Sequence, residues 1–387
     1  MPLMLNHQAE SGVMLSAKTW KSDLKRRKEI ILSSKKIMII AAGLIFGVLG
    51  ALMVNWGNPA NMGICVACFL RDIAGAIGIH RAGVVQFLRP EIMGFVFGAA
   101  ASAFAFREWR STGGSSPVIR FVLGALVMIG ALVFLGCPVR MLLRIAGGDL
   151  NGIVALVGMV AGIAVGVFFL KRGFNLGRAV KIHPVAGWIM PVIMTGMLIL
   201  AIIKPDFIFN SETGPGSMRV SLIVALIVGI VVGVLAQRTR MCFIGGWRDL
   251  FLVKNYYLFS GVVAFLLAAL VTNYIAGNFG AGGIYTWGFE NQPVAHNNHI
   301  WNFLGMSLLG LAATLLGGCP LRNLILSGEG NTDAAITVLG YLAGAAVAHN
   351  FLLASSPNGP GTFGPAAVII GLVFCVALGF LMREKTA

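Results

Sequence analysis

Apolar runs about as long as a lipid bilayer is thick recur along almost the whole chain. A hydrocarbon core about 30 Å thick needs roughly 20 apolar residues per crossing helix. Of the 387 residues, 57% are hydrophobic and only 11% are charged, whereas an ordinary soluble domain has roughly 25% charged residues. We therefore predict an all-α integral membrane protein with about ten transmembrane helices. The candidate spans lie near residues 37–54, 91–106, 117–135, 150–170, 184–203, 218–236, 256–276, 301–317, 332–353 and 364–382.

The positive charges of the chain are placed so that they predict its orientation. A formal net charge of +15 would suit a nucleic-acid-binding protein, but Lys and Arg are concentrated in residues 1–36 and in a later loop at 171–181. Such clusters are topology signals, because cytoplasmic loops carry an excess of Lys and Arg. We predict a basic, uncleaved cytoplasmic tail at 1–36, both termini in the cytoplasm, and no nucleic-acid partner.

Four segments between the apolar runs are too polar or too interrupted to be simple spans. They lie around 61–80, 136–148, 240–254 and 317–331. We predict that each is a short re-entrant or broken helix. Five arginines on the predicted outer side break the charge pattern, and they lie in or beside these segments, where a functional role would outweigh the topology bias: Arg71, Arg81, Arg89, Arg140 and Arg144.

The interrupted segments come in matching pairs. CVACFLRD from Cys65 matches CFIGGWRD from Cys242, and GCPVRMLL from Gly136 matches GCPLRNLI from Gly318. The cysteines of the two motifs are 72 residues apart in the first half and 77 in the second. This pattern predicts two repeats, 37–170 and 218–353, joined by a linker with one extra span at 171–217 and followed at 354–387 by a last span and a short cytoplasmic end.

One extra span between the repeats would place the second repeat upside down relative to the first. Inverted repeats related by an axis in the membrane plane are typical of transporters, which hold substrate near the midplane with discontinuous helices. We therefore expect the cysteine segments to enter from opposite sides of the membrane and to meet around one pathway.

The GCPxR motifs predict helix breaks that favour an anion. Gly ends one helix, Cys follows at the break, and Pro suits the first turn of the next helix because its missing N–H is not needed there. The amino end of the new helix carries free N–H donors and about half a positive charge, and the arginine adds to this charge. The predicted break residues are Gly136, Pro138, Gly318 and Pro320, and the predicted pathway residues are Cys65, Cys137, Cys242, Cys319, Arg140 and Arg322.

The cysteines indicate the class of solute. Thiols are soft, polarizable groups, whereas hydroxyls, amides and backbone N–H groups would more naturally hold a hard oxyanion or a sugar. A single cysteine packs between helices as a small apolar residue, which is our interpretation of Cys375 and Cys68. Four cysteines at equivalent breaks instead predict a pathway for a sulfur- or selenium-containing solute.

An Arg–Asp pair follows each first cysteine motif, Arg71–Asp72 in one half and Arg248–Asp249 in the other. A charge at the bilayer centre costs at least about 2.5–3.5 kcal/mol on insertion scales, so these residues need partners. Because adjacent residues do not face one another on a helix, we expect each to bond outside its own pair. A structural ion pair that holds the break and a contact with the solute remain equally open.

Two further patterns in the sequence are candidate sites. Cys65 and Cys68 form a CxxC, which suits a redox pair or half a metal site. Because Gly245 stands where a second CxxC would need cysteine, we predict no metal and no cofactor. We interpret His296 and His299, in a Gly-rich loop, as part of an exposed polar stretch. The chain has no GxxxxGK[ST] phosphate loop, which argues against ATP hydrolysis.

The cysteine motifs resemble those of the YeeE/YedE family of bacterial membrane proteins, and in particular the YedE-type branch described as selenium transporters. The motifs concerned are GICVACFLRD at 63–72, GCPVRMLLR at 136–144, RMCFIGGWRD at 240–249 and GGCPLRN at 317–323. The resemblance implies an hourglass-shaped, pseudo-symmetric bundle in the bacterial inner membrane, which in the better understood branch imports thiosulfate. It further implies that cysteines at the constriction pass the anion by S–H hydrogen bonds, a role that falls on Cys65, Cys137 and Cys319, with Cys242 as the fourth symmetric candidate.

Three functions follow from these patterns. The leading one is a non-enzymatic importer of a small sulfur- or selenium-containing solute, with membrane lipid and a cytoplasmic sulfur or selenium carrier protein as candidate partners. The second is a membrane thiol oxidoreductase, or a persulfide or selenosulfide carrier, that uses Cys65 and Cys68. The third is a structural subunit of a larger complex.

Overall fold

The computed structural model describes residues 17–280 and 282–383, with side chains from residue 34 onward. Within this part nearly all of the regular secondary structure is α-helix, which confirms the predicted all-α membrane class. The first helices are α1 Ala17–Asn55, α2 Val66–Ala76, α3 Pro90–Ala105, α4 Pro117–Phe134, α5 Pro138–Ala146, α6 Asn151–Lys171 and α7 Ile189–Ile203. The remaining ones are α8 Leu222–Thr239, α9 Phe243–Val253, α10 Tyr257–Ile275, α11 His299–Leu316, α12 Pro320–Gly328, α13 Thr332–Asn350 and α14 Gly364–Leu381.

Little else in the described chain is regular structure. A short 3₁₀ helix, Pro184–Trp188, precedes α7, and two strands, β1 Thr112–Gly113 and β2 Val180–Lys181, pair in antiparallel fashion. Contacts divide the chain into two units, Met1–Met38 and Ile39–Ala387, and every cysteine motif lies in the second unit. Most of the predicted basic tail lies outside the residues whose side chains the structure describes.

Eight helical stretches of the described chain are long and apolar enough to cross a membrane. Three of them run through a predicted break, since they join α4 to α5, α8 to α9 and α11 to α12. Two of the roughly ten predicted spans are not among the eight. The helix α3 has only 16 residues, and the helix α13 begins and ends in polar residues, which lower its mean hydropathy.

The breaks at the two GCPxR motifs form one residue earlier than predicted. The helix α4 ends at Leu135 and α11 ends at Gly317, both in the left-handed conformation, with φ of 66° and 87°. Gly136 and Gly318 follow these ends rather than forming them. As predicted, each cysteine then precedes a proline in the first turn of the next short helix.

The two glycines instead make room for the arginine of their own motif. A Cβ atom on Gly136 would lie 2.9 Å from Cδ of Arg140, and one on Gly318 would lie 3.3 Å from Cγ of Arg322. Both arginine side chains therefore fold back across the break that precedes their helix.

Two sets of six helices, α1–α6 and α8–α13, follow one another in the same order, with α7 between them and α14 at the end. The third helix of each set packs on the first helix of the other, since α3 contacts α8 and α10 contacts α1. The sixth helix of each set likewise packs on the fourth of the other, in the pairs α6–α11 and α4–α13. Each of these contacts therefore has a counterpart in the other set.

Small residues let these helix pairs approach closely, as is usual between membrane helices. A Cβ atom on Gly98 of α3 would lie 2.2 Å from the carbonyl oxygen of Ile230 in α8. One on Gly162 of α6 would lie 2.1 Å from the carbonyl oxygen of Ser307 in α11. No larger residue fits at either position unless the helices separate, so these contacts fix the frame that carries the short helices.

Candidate functional site

Four short helices, α2, α5, α9 and α12, each begin at a cysteine. The residues that precede their first turns are Cys65, Cys137, Cys242 and Cys319, all buried. Two of these thiols take the place of the hydroxyl or carboxylate that usually accepts the first free backbone N–H of a helix. Cys65 Sγ accepts from the Cys68 N–H at 3.4 Å, and Cys242 Sγ accepts from the Gly245 N–H at 3.1 Å.

The structure groups the cysteines by half. Cys65 Sγ and Cys137 Sγ lie 3.5 Å apart, and with Cys68 they form what we call the first thiol cluster. Cys242 and Cys319 form the second thiol pair, in which Cys242 Sγ accepts from the Cys319 N–H at 3.4 Å. The sixth cysteine, Cys375, is buried in α14 apart from both groups, in agreement with its interpretation as a packing residue.

In each half the amino ends of both short helices converge on the thiols. In the first half, Cys65 Sγ accepts from the Cys68 N–H of α2 and lies 3.5 Å from Sγ of Cys137, the residue before α5. In the second half, Cys242 Sγ accepts from the N–H of Gly245 in α9 and from the N–H of Cys319, the residue before α12. Because the free N–H groups and positive ends of helix dipoles favour negative charge, each group of thiols lies at a place suited to an anion.

Arg140 belongs to the first thiol cluster. Its side chain is fully buried, Nη1 donates to Cys68 Sγ at 3.4 Å, and Nη2 donates to the Val294 carbonyl at 2.9 Å. Cys68 therefore lies in the cluster itself and bonds to Arg140, a contact that its interpretation as a packing residue did not include. In the second half, Gly245 stands in the place of Cys68, so no thiol faces Arg322 in this way.

Arg322 has a carboxylate partner instead. Its Nη1 lies 3.0 Å from Oε1 of Glu329, whose Oε2 lies 2.6 Å from Nη1 of Arg240. Arg240 also pairs with Glu108, at 2.9 Å. This network borders a cavity of about 340 Å³, which is lined by Glu108, Arg110, Thr112, Arg240, Leu326, Glu329 and Asn331.

Glu108 and Glu329 were not among the predicted site residues. Only 14 acidic residues occur in the chain, so an acid near a predicted break is a signal that could have identified Glu329. Glu108 lies in the α3–α4 connection, and only the fold brings it near Arg240. The side-chain amide of Gln237 and the guanidinium groups of Arg240 and Arg238 lower the pKa of Glu108.

The Arg–Asp pairs bond within themselves as well as outside, so the expectation that each would bond only elsewhere is wrong in part. Arg71 Nη2 lies 2.7 Å from Asp72 Oδ1, and Arg248 Nη2 lies 2.9 Å from Asp249 Oδ1. The spacing argument considers Cβ directions, but the arginine stem is long enough to fold back to the adjacent carboxylate.

Each pair also makes a contact outside its helix that holds the fold. Asp72 binds Arg89 at 2.7 Å, and Arg89 donates to the carbonyls of Pro215 and Met218 ahead of α8. Arg248 Nη1 donates to the carbonyl of Gly317, the residue that ends α11 at its break, at 2.9 Å. These contacts support a structural role for both pairs.

The loop that precedes α11 folds onto the first half of the chain. His296 is buried and bonds through Nε2 to the Val133 carbonyl at 2.9 Å, so its predicted exposure is wrong, whereas His299 is exposed as predicted. Burial lowers the pKa of His296. The same loop supplies the Val294 carbonyl to Arg140, and Tyr285 Oη accepts from the Asn61 N–H at 3.2 Å.

Among the described residues, no group of three or more His, Cys, Asp or Glu side chains is arranged to hold a metal ion. All six cysteines are free thiols. The polar groups at the first thiol cluster are thus thiols, peptide N–H groups and guanidinium, which together suit an anionic solute with a soft atom.

Residues 238–383 match the family model described as sulphur transport. The matched region begins at the end of α8 and includes the second thiol pair, the Arg322–Glu329 contact and all helices from α9 to α14. A search of curated proteins gave no match. The match agrees with the resemblance that the cysteine motifs indicate, since over residues 238–383 this membrane protein is similar to the sulphur transport family.

Proposed function

We propose that this protein imports a small sulfur- or selenium-containing anion, such as thiosulfate or a selenium oxyanion, across the bacterial inner membrane. The observation that carries the proposal is the convergence of two helix amino ends on a group of thiols, once in each half. The pathway residues are Cys65, Cys137, Cys242 and Cys319, together with Arg140 and Arg322.

Two inverted repeats, 37–170 and 218–353, place these groups of thiols in one pathway. The paired contacts support this arrangement. A two-fold axis between the halves requires that every contact between a helix of one half and a helix of the other has a counterpart with the halves exchanged, as α3–α8 has in α10–α1 and α6–α11 has in α13–α4. The odd span at α7 is what inverts the second half. Both termini then lie in the cytoplasm, and the cavity at Glu108 and Arg240 faces the cytoplasm as well.

Each step in this pathway is an exchange of hydrogen bonds. The anion leaves water for a site where peptide N–H groups and S–H groups donate to it, and a guanidinium offsets its charge. It then passes to the equivalent site of the other half. No covalent bond to the thiols is required, and consumption of the solute in the cytoplasm, for example by a sulfur or selenium carrier protein, drives net uptake.

Reconstitution of the purified protein alone tests this proposal. Proteoliposomes should take up radiolabelled thiosulfate or selenite, and Cys137→Ala or Cys319→Ala should abolish uptake although the protein still elutes as a folded species. Cys375→Ala is the matched control, because this buried cysteine lies outside both groups of thiols. Full uptake by the Cys137 and Cys319 variants would overturn the thiol pathway, and no uptake by the wild type would favour a subunit that needs partners.

One observation keeps the thiol oxidoreductase or persulfide carrier as a second candidate. Cys65 Sγ lies 3.5 Å from Cys137 Sγ, close enough for two thiols to act on one sulfur or selenium atom. Mass spectrometry of the purified protein separates the two functions. A persulfide or selenosulfide adduct on Cys65, Cys68 or Cys137 that forms and disappears during turnover belongs to the carrier, whereas unmodified thiols throughout uptake belong to the transporter.

A further inference from the structure

The two halves differ in how they compensate the arginine of the GCPxR motif. In the second half, Arg322 is paired with Glu329, seven residues further along the chain. In the first half, the residue seven positions beyond Arg140 is Gly147, which has no side chain to offer. One guanidinium therefore has a carboxylate supplied by its own repeat, and the other does not.

Arg140 is a buried cation that has no carboxylate partner among the described residues. Its partners are Cys68 Sγ and the Val294 carbonyl, and none of the described residues accepts a hydrogen bond from its Nε. The acids that follow the two cysteine motifs of this half are already bound, since Asp72 lies between Arg71 and Arg89, and Asp149 pairs with Arg144. A buried guanidinium without a carboxylate partner is costly, so this site favours an anion from outside the protein.

Arg322 already has its anion. One carboxylate oxygen of Glu329 contacts Arg322, and the other contacts Arg240. A solute anion that approached Arg322 would therefore meet this carboxylate. The Glu329 carboxylate and a solute anion at Arg322 would repel each other, which weakens binding of the solute anion there. The second thiol pair therefore offers helix ends and thiols, but a guanidinium that is already neutralised.

We propose that the transported anion is held at Arg140 in the first thiol cluster, and that Glu329 is a resident counter-ion that keeps the second thiol pair a weak site. This inference rests on the proposed function and adds to it the order in which the two sites hold the anion. The anion dwells at the first cluster and leaves through the second pair, because conduction requires binding that is strong enough for the solute to enter and weak enough for it to leave.

Equilibrium binding to the purified full-length protein in detergent tests the inference, with radiolabelled thiosulfate and selenite as separate probes. The wild type should bind one anion per chain. Arg140→Gln should weaken binding at least about tenfold, and Arg140→Lys, which retains the charge, should restore part of it. Arg178→Gln, which removes one positive charge from an exposed loop, is the control for a loss of net charge alone.

Glu329→Gln supplies the complementary test, because it should create binding rather than remove it. The variant should bind a second anion per chain and release substrate more slowly in flux assays, and addition of Arg322→Gln to this variant should abolish the second site. A misfolded protein cannot produce such a gain. If Glu329→Gln still binds a single anion with unchanged affinity, or Arg140→Gln binds like the wild type, the inference is wrong although transport stands.

A different result would contradict the proposed function itself. If the wild type neither binds nor transports thiosulfate or selenite, both the proposed function and this inference are wrong. A wild type that transports one of these anions, with equal losses of binding in Arg140→Gln and Arg322→Gln and no gain in Glu329→Gln, retains the function and rejects the asymmetry.

Discussion

Cys65 Sγ and Cys137 Sγ lie 3.5 Å apart although 72 residues separate them in the chain. Each of the two cysteines precedes the first turn of a short helix, so this one contact joins two helix breaks. The second half repeats the relationship between Cys242 and Cys319, where a thiol accepts from the backbone of the other motif. The thiols thus lie where the helices of each half are broken.

The contact between Cys65 and Cys137 predicts efficient cross-linking. In a variant that retains only these two cysteines, copper phenanthroline should oxidise them to an intramolecular disulfide. A variant that retains Cys65 and Cys375 is the control and should stay reduced. Mass spectrometry after alkylation measures the fraction oxidised. Equal oxidation of the two variants would contradict the placement of Cys137.

The two Arg–Asp pairs should differ in their contribution to stability. Asp72 is fully buried between two guanidinium groups, so Asp72→Asn leaves two uncompensated buried charges and should cost about 3–5 kcal/mol. The side chain of Asp249 is 24% exposed and pairs with one arginine, so Asp249→Asn should cost about 1 kcal/mol or less. Thermal unfolding in detergent compares the variants, and equal shifts in Tm would contradict the account.

Substitution of the two glycines at the breaks should weaken anion binding to different extents. A Cβ atom on Gly136 would press on Arg140 from 2.9 Å, whereas one on Gly318 would lie 3.3 Å from Arg322. We expect Gly136→Ala to displace the Arg140 side chain and weaken anion binding by about tenfold, with a smaller effect from Gly318→Ala. Binding isotherms of the two variants at matched protein yield test this order, which would be refuted if Gly318→Ala had the larger effect.

The buried His296 predicts a specific pH dependence. Burial lowers its pKa below the ordinary value of 6.5, Arg144 lowers it further, and Asp149 opposes them. The unfolded chain then binds more protons than the folded one, so the stabilisation is complete above about pH 6.5 and decreases as the pH falls below it. His296→Asn should flatten the dependence of Tm between about pH 7 and pH 5, whereas the exposed His299→Asn should not.

The features that repeat in the sequence were the predictable ones. The apolar runs indicated a helical membrane protein, and the two GCPxR motifs indicated where α5 and α12 begin. Local chemistry sufficed there, because a proline after the cysteine restricts the chain to a new first turn. The number of spans was less predictable. The helix α3 is short, and α13 begins and ends in polar residues, which hydropathy alone does not distinguish from a loop.

The features that depend on distant contacts were not predictable. Nothing near Cys68 in the sequence indicates that Arg140 will reach it, or that a loop residue such as Val294 will bind the same guanidinium. The burial of His296 likewise depends on how a long loop returns to Val133. A histidine in a Gly-rich segment has the same local pattern whether it is exposed or covered.

Accessibility labelling of positions 137 and 319 tests the central claim most directly. Variants with Cys137 or Cys319 as the sole cysteine would be exposed to a small membrane-impermeant methanethiosulfonate in right-side-out and inverted vesicles. The account predicts that Cys137 reacts from the periplasmic side, that Cys319 reacts from the cytoplasmic side, and that thiosulfate or selenite protects Cys137. Reaction of both from the same side, or of neither from any aqueous side, would contradict it.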